Sequence, residues 1–177
     1  MQILIWVLAV IAVYFFIVFF LLRLAVPFMG FGGRLVLPGR LPNDIKLAIT
    51  NLERKSSGPG EYLQHAYDLI LQKSLQQWGH TRFKAGTHLH RLFARDPEEM
   101  WHTEKFLYCQ GINYLSFLLL AGSRFFAPDD IRARAVFLNF VPHQYLQVRL
   151  QGKWEDFDPA GAGIRGGRLG RHAEWFG

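Results

Sequence analysis

The sequence predicts an α+β fold behind an N-terminal membrane helix, and three observations carry that reading. A run of 20 uncharged residues, Ile3 to Leu22, opens the chain. Apolar residues then recur at helical spacing as far as Ala121, and from Arg132 onward the period changes to two. Helices followed by an antiparallel meander are the pattern of a segregated α+β fold. The 177 residues correspond to one ordinary domain. Half of them are hydrophobic and 15% are aromatic, which excludes a disordered chain. A single cysteine, Cys109, excludes a disulfide scaffold or a Cys-rich zinc module. The net charge of +6 is spread rather than clustered, and no RNA- or DNA-binding motif accompanies it, so no nucleic-acid partner is expected.

The first element is the anchor. At about 1.5 Å per residue, an apolar helix of this length spans the roughly 30 Å hydrocarbon core of a bilayer. No Lys or Arg precedes the run, and Arg23-Leu24-Ala25-Val26-Pro27 is a poor cleavage context. Residues 1–26 are therefore expected to be an uncleaved, single-pass anchor, with the lipid bilayer as the partner of residues 3–22. Arg23, Arg34, Arg40, Lys46, Arg54 and Lys55 follow the run, against only Asp44 and Glu53. That asymmetry predicts a cytoplasmic domain. The opposite orientation would bring peptide or cell-wall amides within reach.

Residues 27–42 hold Pro27, Gly30, Gly32, Gly33, Pro38, Gly39 and Pro42, and read as an irregular linker. Its apolar residues Phe28, Met29, Phe31, Leu35, Val36 and Leu37 are expected in the headgroup region. The domain proper, 43–177, opens with a short helix from Asn43 to Lys55, broken by Ser56-Ser57-Gly58-Pro59-Gly60. A second helix runs from Glu61 to Trp78, with Leu63, Ala66 and Ile70 on one face. Asp96-Pro97-Glu98-Glu99 has an N-cap, a proline at the first helical position and acids in the first turn, the marks of a helix start. An apolar helix follows Cys109 and stops at Gly122. Ala133 to Phe140 reads as a strand, and His143 to Leu150 alternates strictly. Leu146, Val148 and Leu150 share one face of that strand; His143, Tyr145, Gln147 and Arg149 share the other. Trp154 to Asp158 follows, and a flexible Gly/Arg-rich tail closes the chain.

The hairpin places chemistry. With Gln151-Gly152 as a two-residue turn, Leu150 faces Lys153 and Tyr145 faces Asp158. His143 then lies on the same face as Asp158, on the diagonal, within reach of a His–carboxylate hydrogen bond. Cys109 stands at the start of an apolar helix, where the helix dipole favours a thiolate and free N–H groups can donate to an oxyanion. A neighbouring imidazole would complete a thiolate–imidazolium pair.

At these residues the chain resembles the transglutaminase-like superfamily, the fold of papain-type thiol enzymes. The likeness covers Glu61 to Pro159. Cys109 begins an apolar helix, His143-Gln144-Tyr145-Leu146-Gln147-Val148 opens a strand, and Gly152-Lys153-Trp154-Glu155-Asp156-Phe157-Asp158-Pro159 follows. Intervals of 34 and 15 residues separate Cys109, His143 and Asp158. The resemblance implies Cys109 as nucleophile, His143 as general base and acid, and Asp158 as the residue orienting His143. It also implies a second oxyanion donor upstream, for which Gln77 and Trp78 are candidates beside the backbone N–H of Cys109. No cofactor is implied. The fold serves hydrolases and transferases alike. With no acidic calcium loop in the sequence, hydrolysis of amide or peptide bonds is favoured over amine transfer, on a protein or peptide substrate of unknown identity. The alternative is a catalytically silent transglutaminase-like domain acting as a membrane-bound scaffold.

Two weaker patterns carry less. His88-Leu89-His90, with His80 and His102 nearby, lacks an acidic or cysteine partner at metal-site spacing, so no metal is expected. Gly161-Ala162-Gly163-Ile164-Arg165-Gly166 matches a dinucleotide fingerprint in form only, because no βαβ unit surrounds it. Arg165, Arg168 and Arg171 read as a solvated basic tail.

Overall fold

A computed structural model of the chain describes residues 2–29, 35–76, 87–138, 141–162 and 166–174. Helix α1 (Gln2–Phe16) passes into a π-helical segment (Ile17–Leu21) and then α2 (Leu22–Ala25). After α3 (Asn43–Lys55) and α4 (Pro59–Gln76) come a 3₁₀ turn (Leu89–Phe93), α5 (Pro97–His102) and α6 (Cys109–Ala121). Strands β1 (Ile131–Leu138), β2 (Val141–Leu150) and β3 (Lys153–Phe157) form an antiparallel sheet in that order. The architecture is α+β.

The N-terminal run differs from the single long helix expected. Among the described residues no helix is long and apolar enough to cross a membrane. The reason is the change of winding at Ile17: α1 alone has 15 residues, or roughly 22 Å. None of its side chains is buried. The linker also departs from expectation. Instead of leaving its apolar residues for lipid, the chain folds Val26 and Met29 into the protein and packs Phe28, Leu35 and Leu37 against the core. The Phe28 ring stacks on Tyr114 at 3.7 Å, and its carbonyl accepts a 3.0 Å bond from Gln144 Nε2. Val36 alone of this group stays open to solvent; Phe31 lies outside the described residues.

Helix α6 is the centre. It is apolar all round, so it has no face for water, and Gln110 through Ala121 are buried. Helices α3 and α4 pack on it from one side and β2 from the other. Ile45, Ile49 and Leu52 come from α3; Tyr62, Leu63, Ala66 and Ile70 from α4; Leu146, Val148 and Phe157 from the sheet. The Tyr62 hydroxyl is satisfied by the Leu119 carbonyl at 2.7 Å. Helix α4 begins two residues earlier than expected, because Pro59 stands in the first turn, where its missing N–H costs nothing. Asp96 caps α5 as its sequence predicts, its Oδ1 accepting from Glu98 N at 3.0 Å with Pro97 next in line.

The sheet keeps the expected register. Leu150 pairs with Lys153 and Leu146 with Phe157. Gln151 and Gly152 both adopt positive φ, 51° and 80°, the geometry of a tight two-residue hairpin turn. Register thus carries His143, Tyr145, Asp156 and Asp158 to one face, opposite Leu146, Val148 and Phe157.

Candidate active site

Three elements converge on the Cys109 thiol. It stands at the first position of α6, half-buried. Tyr108 precedes it in extended conformation and provides no side-chain cap. The first amide with an intrahelical acceptor is Ile112 N, to Tyr108 O at 3.1 Å. The N–H groups of the first turn therefore project from the helix end toward the space beside the sulfur. Gln110, buried next to Cys109, donates from Nε2 to Leu92 O at 3.3 Å and fixes the 3₁₀ turn beside the thiol.

His143 enters from β2. Its Nε2 lies 3.0 Å from Oδ1 and 2.9 Å from Oδ2 of Asp158, which leaves Nδ1 for the thiol. The Cys109 Sγ lies 3.9 Å from Gln110 Oε1, and the thiol is near enough to the imidazole to raise the His143 pKa. The neighbouring backbone is held by Asn113 of α6, whose Nδ2 donates to Gln144 O at 2.5 Å. Burial is the largest influence on His143 and works to lower its pKa. Hydrogen bonds to Asp158 and Cys109, with the charges on both, outweigh it and push the imidazole up to about 10.

Asp158 is wholly buried. Besides His143, its Oδ1 accepts from Gly161 N and its Oδ2 from Ala173 N, both at 2.8 Å. Four acceptor contacts on two oxygens leave the carboxylate no freedom to turn. Ala173 belongs to the segment expected to be a flexible tail. That expectation is corrected: Ala173 is fully buried against the site and its N–H is bonded to Asp158. Residues 163–165 lie outside the described residues. Arg168 and Arg171 pair backbone to backbone, and Arg171 Nη2 contacts Glu174 Oε2 at 2.9 Å.

The structure brings together all three residues singled out for catalysis, Cys109, His143 and Asp158. It does so on a sheet face that is covered rather than solvated, since His143 and Tyr145 are both buried. Trp154, on the same face, lies under the Arg132 guanidinium at 3.8 Å. Gln77 and Trp78, the upstream oxyanion candidates, lie outside the described residues. Among the described residues no cluster of three metal-binding side chains occurs; His102 instead contacts Asp44 at 2.8 Å, and His80 lies outside them. Sequence reasoning missed Gly161, Ala173 and His172. At Gly161 a Cβ would run into the Asp158 carboxylate and lie 2.7 Å from the Ala173 methyl.

Gly161→Ala is accordingly expected to lower stability by about 1–3 kcal/mol through overpacking and to slow Cys109 alkylation. Thermal unfolding and iodoacetamide kinetics check both, and a fully stable, fully reactive variant would contradict the packing described.

No family model matches the chain, and no curated protein or solved structure matches it.

Proposed function

We propose that the protein is a transglutaminase-like cysteine enzyme, tethered to a membrane, that opens amide or peptide bonds through a thioester on Cys109. The observation that carries this reading is the buried Asp158 carboxylate clamped on Nε2 of His143 while the Cys109 thiol adjoins the same ring. A carboxylate in that position fixes the ring's orientation and supports its positive charge, which is what a thiolate–imidazolium pair requires.

The chemistry runs in two halves. His143 takes the thiol proton, and the Cys109 sulfur attacks the amide carbon. The oxygen becomes an oxyanion facing the first-turn N–H groups of α6. As the C–N bond breaks, imidazolium returns the proton to the leaving amine, and a thioester remains. Water then attacks the thioester, losing a proton to His143, and the C–S bond breaks to release the acid and regenerate the thiolate–imidazolium pair. An amine in place of water would give transfer, but hydrolysis is the favoured outcome.

The tether rests on the helical run Gln2–Ala25, continuous through its π-helical segment. Its first 15 residues, α1, are apolar and none of their side chains is buried, a surface that lipid would cover. The charges following the run favour a cytoplasmic domain.

The test is to incubate the full chain in detergent with activated acyl esters and model carboxamides, and to look for a covalent Cys109 adduct by mass spectrometry. The adduct is expected in the wild type and suppressed on the order of 10³-fold or more in His143→Ala. Absence of an adduct, with a thiol that alkylates only as an ordinary cysteine does near pH 8.5, would overturn the enzyme reading in favour of a binding module.

A further inference from the structure

We infer that His172 is a positioning residue for the Cys109–His143–Asp158 site, acting through the backbone N–H of its neighbour Ala173. The inference rests on the thiol-enzyme reading above. It extends that reading to a residue 14 positions beyond Asp158, in a stretch whose composition suggests an idle tail.

Asp158 is oriented by two backbone donors, and they differ in how they are held. Gly161 is three residues away in the same turn, so chain connectivity keeps it near. Ala173 is 15 residues away and stays only if something returns the chain to the sheet. The returning segment makes a tight turn, with Arg168 N to Arg171 O at 2.8 Å and Arg171 N to Arg168 O at 2.9 Å, and Gly170 at φ 83°. Gly170 N reaches the Asp156 carbonyl at 2.8 Å. The side chain that fixes its far end is His172. Its Nδ1 lies 2.6 Å from Asp156 Oδ2, and its backbone N donates to the same oxygen at 3.2 Å. Its ring stacks on Tyr145 at 4.3 Å with the planes 7° apart. Asp156 is itself held, its Oδ1 accepting from Gln147 Nε2 at 2.8 Å. Both anchors of His172, Tyr145 and Asp156, stand on the sheet face that carries His143 and Asp158, each two residues from one of them.

The next peptide after this clasp is the one that donates to Asp158 Oδ2. Rotation or release of His172 therefore displaces the Ala173 N–H, and a carboxylate with one oriented oxygen instead of two can turn against the imidazole. His172 touches no reacting atom. Its effect arrives at His143 as orientation, for which displacements of about 1 Å lower reactivity by large factors.

The experiment compares wild type, His172→Ala and His172→Asn in the full chain, since the Asn amide restores a donor near the Nδ1 position. The readouts are iodoacetamide alkylation of Cys109 against pH and the NMR titration of the His143 ring. His172→Ala is expected to slow alkylation at neutral pH about tenfold and to move the His143 titration toward its ordinary value, with His172→Asn recovering most of both. A structural contribution alone would lower the melting temperature of both variants without altering the His143 titration at temperatures where they are folded, and that result overturns the inference. So does a His172→Asn variant no better than His172→Ala. If His172→Ala does not fold, the Asn variant still decides, because its His143 titration must match the wild type. Wild-type Cys109 behaving as an ordinary thiol, unaffected by His143→Ala, sinks the thiol-enzyme reading and this one with it. An activated wild-type thiol unchanged by His172→Ala sinks this one alone.

Discussion

Asp158→Ala is expected to destabilise the C-terminal third of the domain and to abolish the activation of Cys109 in one step. The carboxylate is the acceptor for His143 Nε2, Gly161 N and Ala173 N, and it is completely buried. Removing it leaves these donors without a partner in a dry interior, where each costs about 1–3 kcal/mol. Their combined loss is comparable with the whole stability of a small domain, about 5–15 kcal/mol. The segment Gly166–Glu174 loses its tie to the site and becomes a protease target; limited proteolysis should clip it first, and thermal unfolding should shift downward by several degrees or more. Asp158→Asn is the sharper variant. It keeps the shape and one acceptor oxygen, but its NH₂ group must face a backbone N–H, donor against donor. It is expected to fold with reduced stability while alkylation of Cys109 falls to the rate of an unassisted thiol. Wild-type melting and wild-type alkylation in either variant would refute the role given to this carboxylate.

The reach of the sequence is set by which interactions leave a periodic trace. The all-apolar run of α6, the alternation of β2 and the Asp96-Pro97 start of α5 were legible because burial and capping select residue types at fixed spacing. The encounter of His143 with Asp158 was legible for the same reason: a two-residue turn at Gln151-Gly152 fixes parity, and parity fixes the face. The tail was not legible. Its attachment is made by backbone N–H groups of Gly161, Gly170 and Ala173, and a backbone donor has no side chain to advertise it. The buried setting of His143 and Tyr145 was hidden likewise, because the cover on that face is this same segment. Nor did the sequence announce the change of winding at Ile17, where the apolar residues continue unbroken, or the return of Phe28 onto Tyr114. Proline and glycine around residues 27–42 signal irregular backbone, but say nothing of where its apolar side chains come to rest.

The pH dependence follows from His143 and can be signed. Burial works to lower its pKa, while Asp158 and Cys109 raise it further, to about 10 from an ordinary 6.5. A folded-state value above the unfolded one means that between these limits the native protein holds a proton the unfolded chain has lost. This group's contribution to stability is therefore complete below about pH 6.5 and drains away as pH rises toward 10. Urea unfolding midpoints are expected to fall across that window, and Cys109→Ala should flatten the slope, since one of the two groups that raise the imidazole is gone. For catalysis the consequence is a proton that remains available for the leaving amine throughout neutral pH, with the alkaline limb of turnover near 10. Asp158→Asn, by removing the other raising charge, should draw the limb down toward neutrality and shift the His143 ring resonance with it. A wild-type ring that titrates near 6.5 would mean that the Asp158 carboxylate and the Cys109 sulfur do not share a charge with His143, and the proposed proton route through that ring would fail.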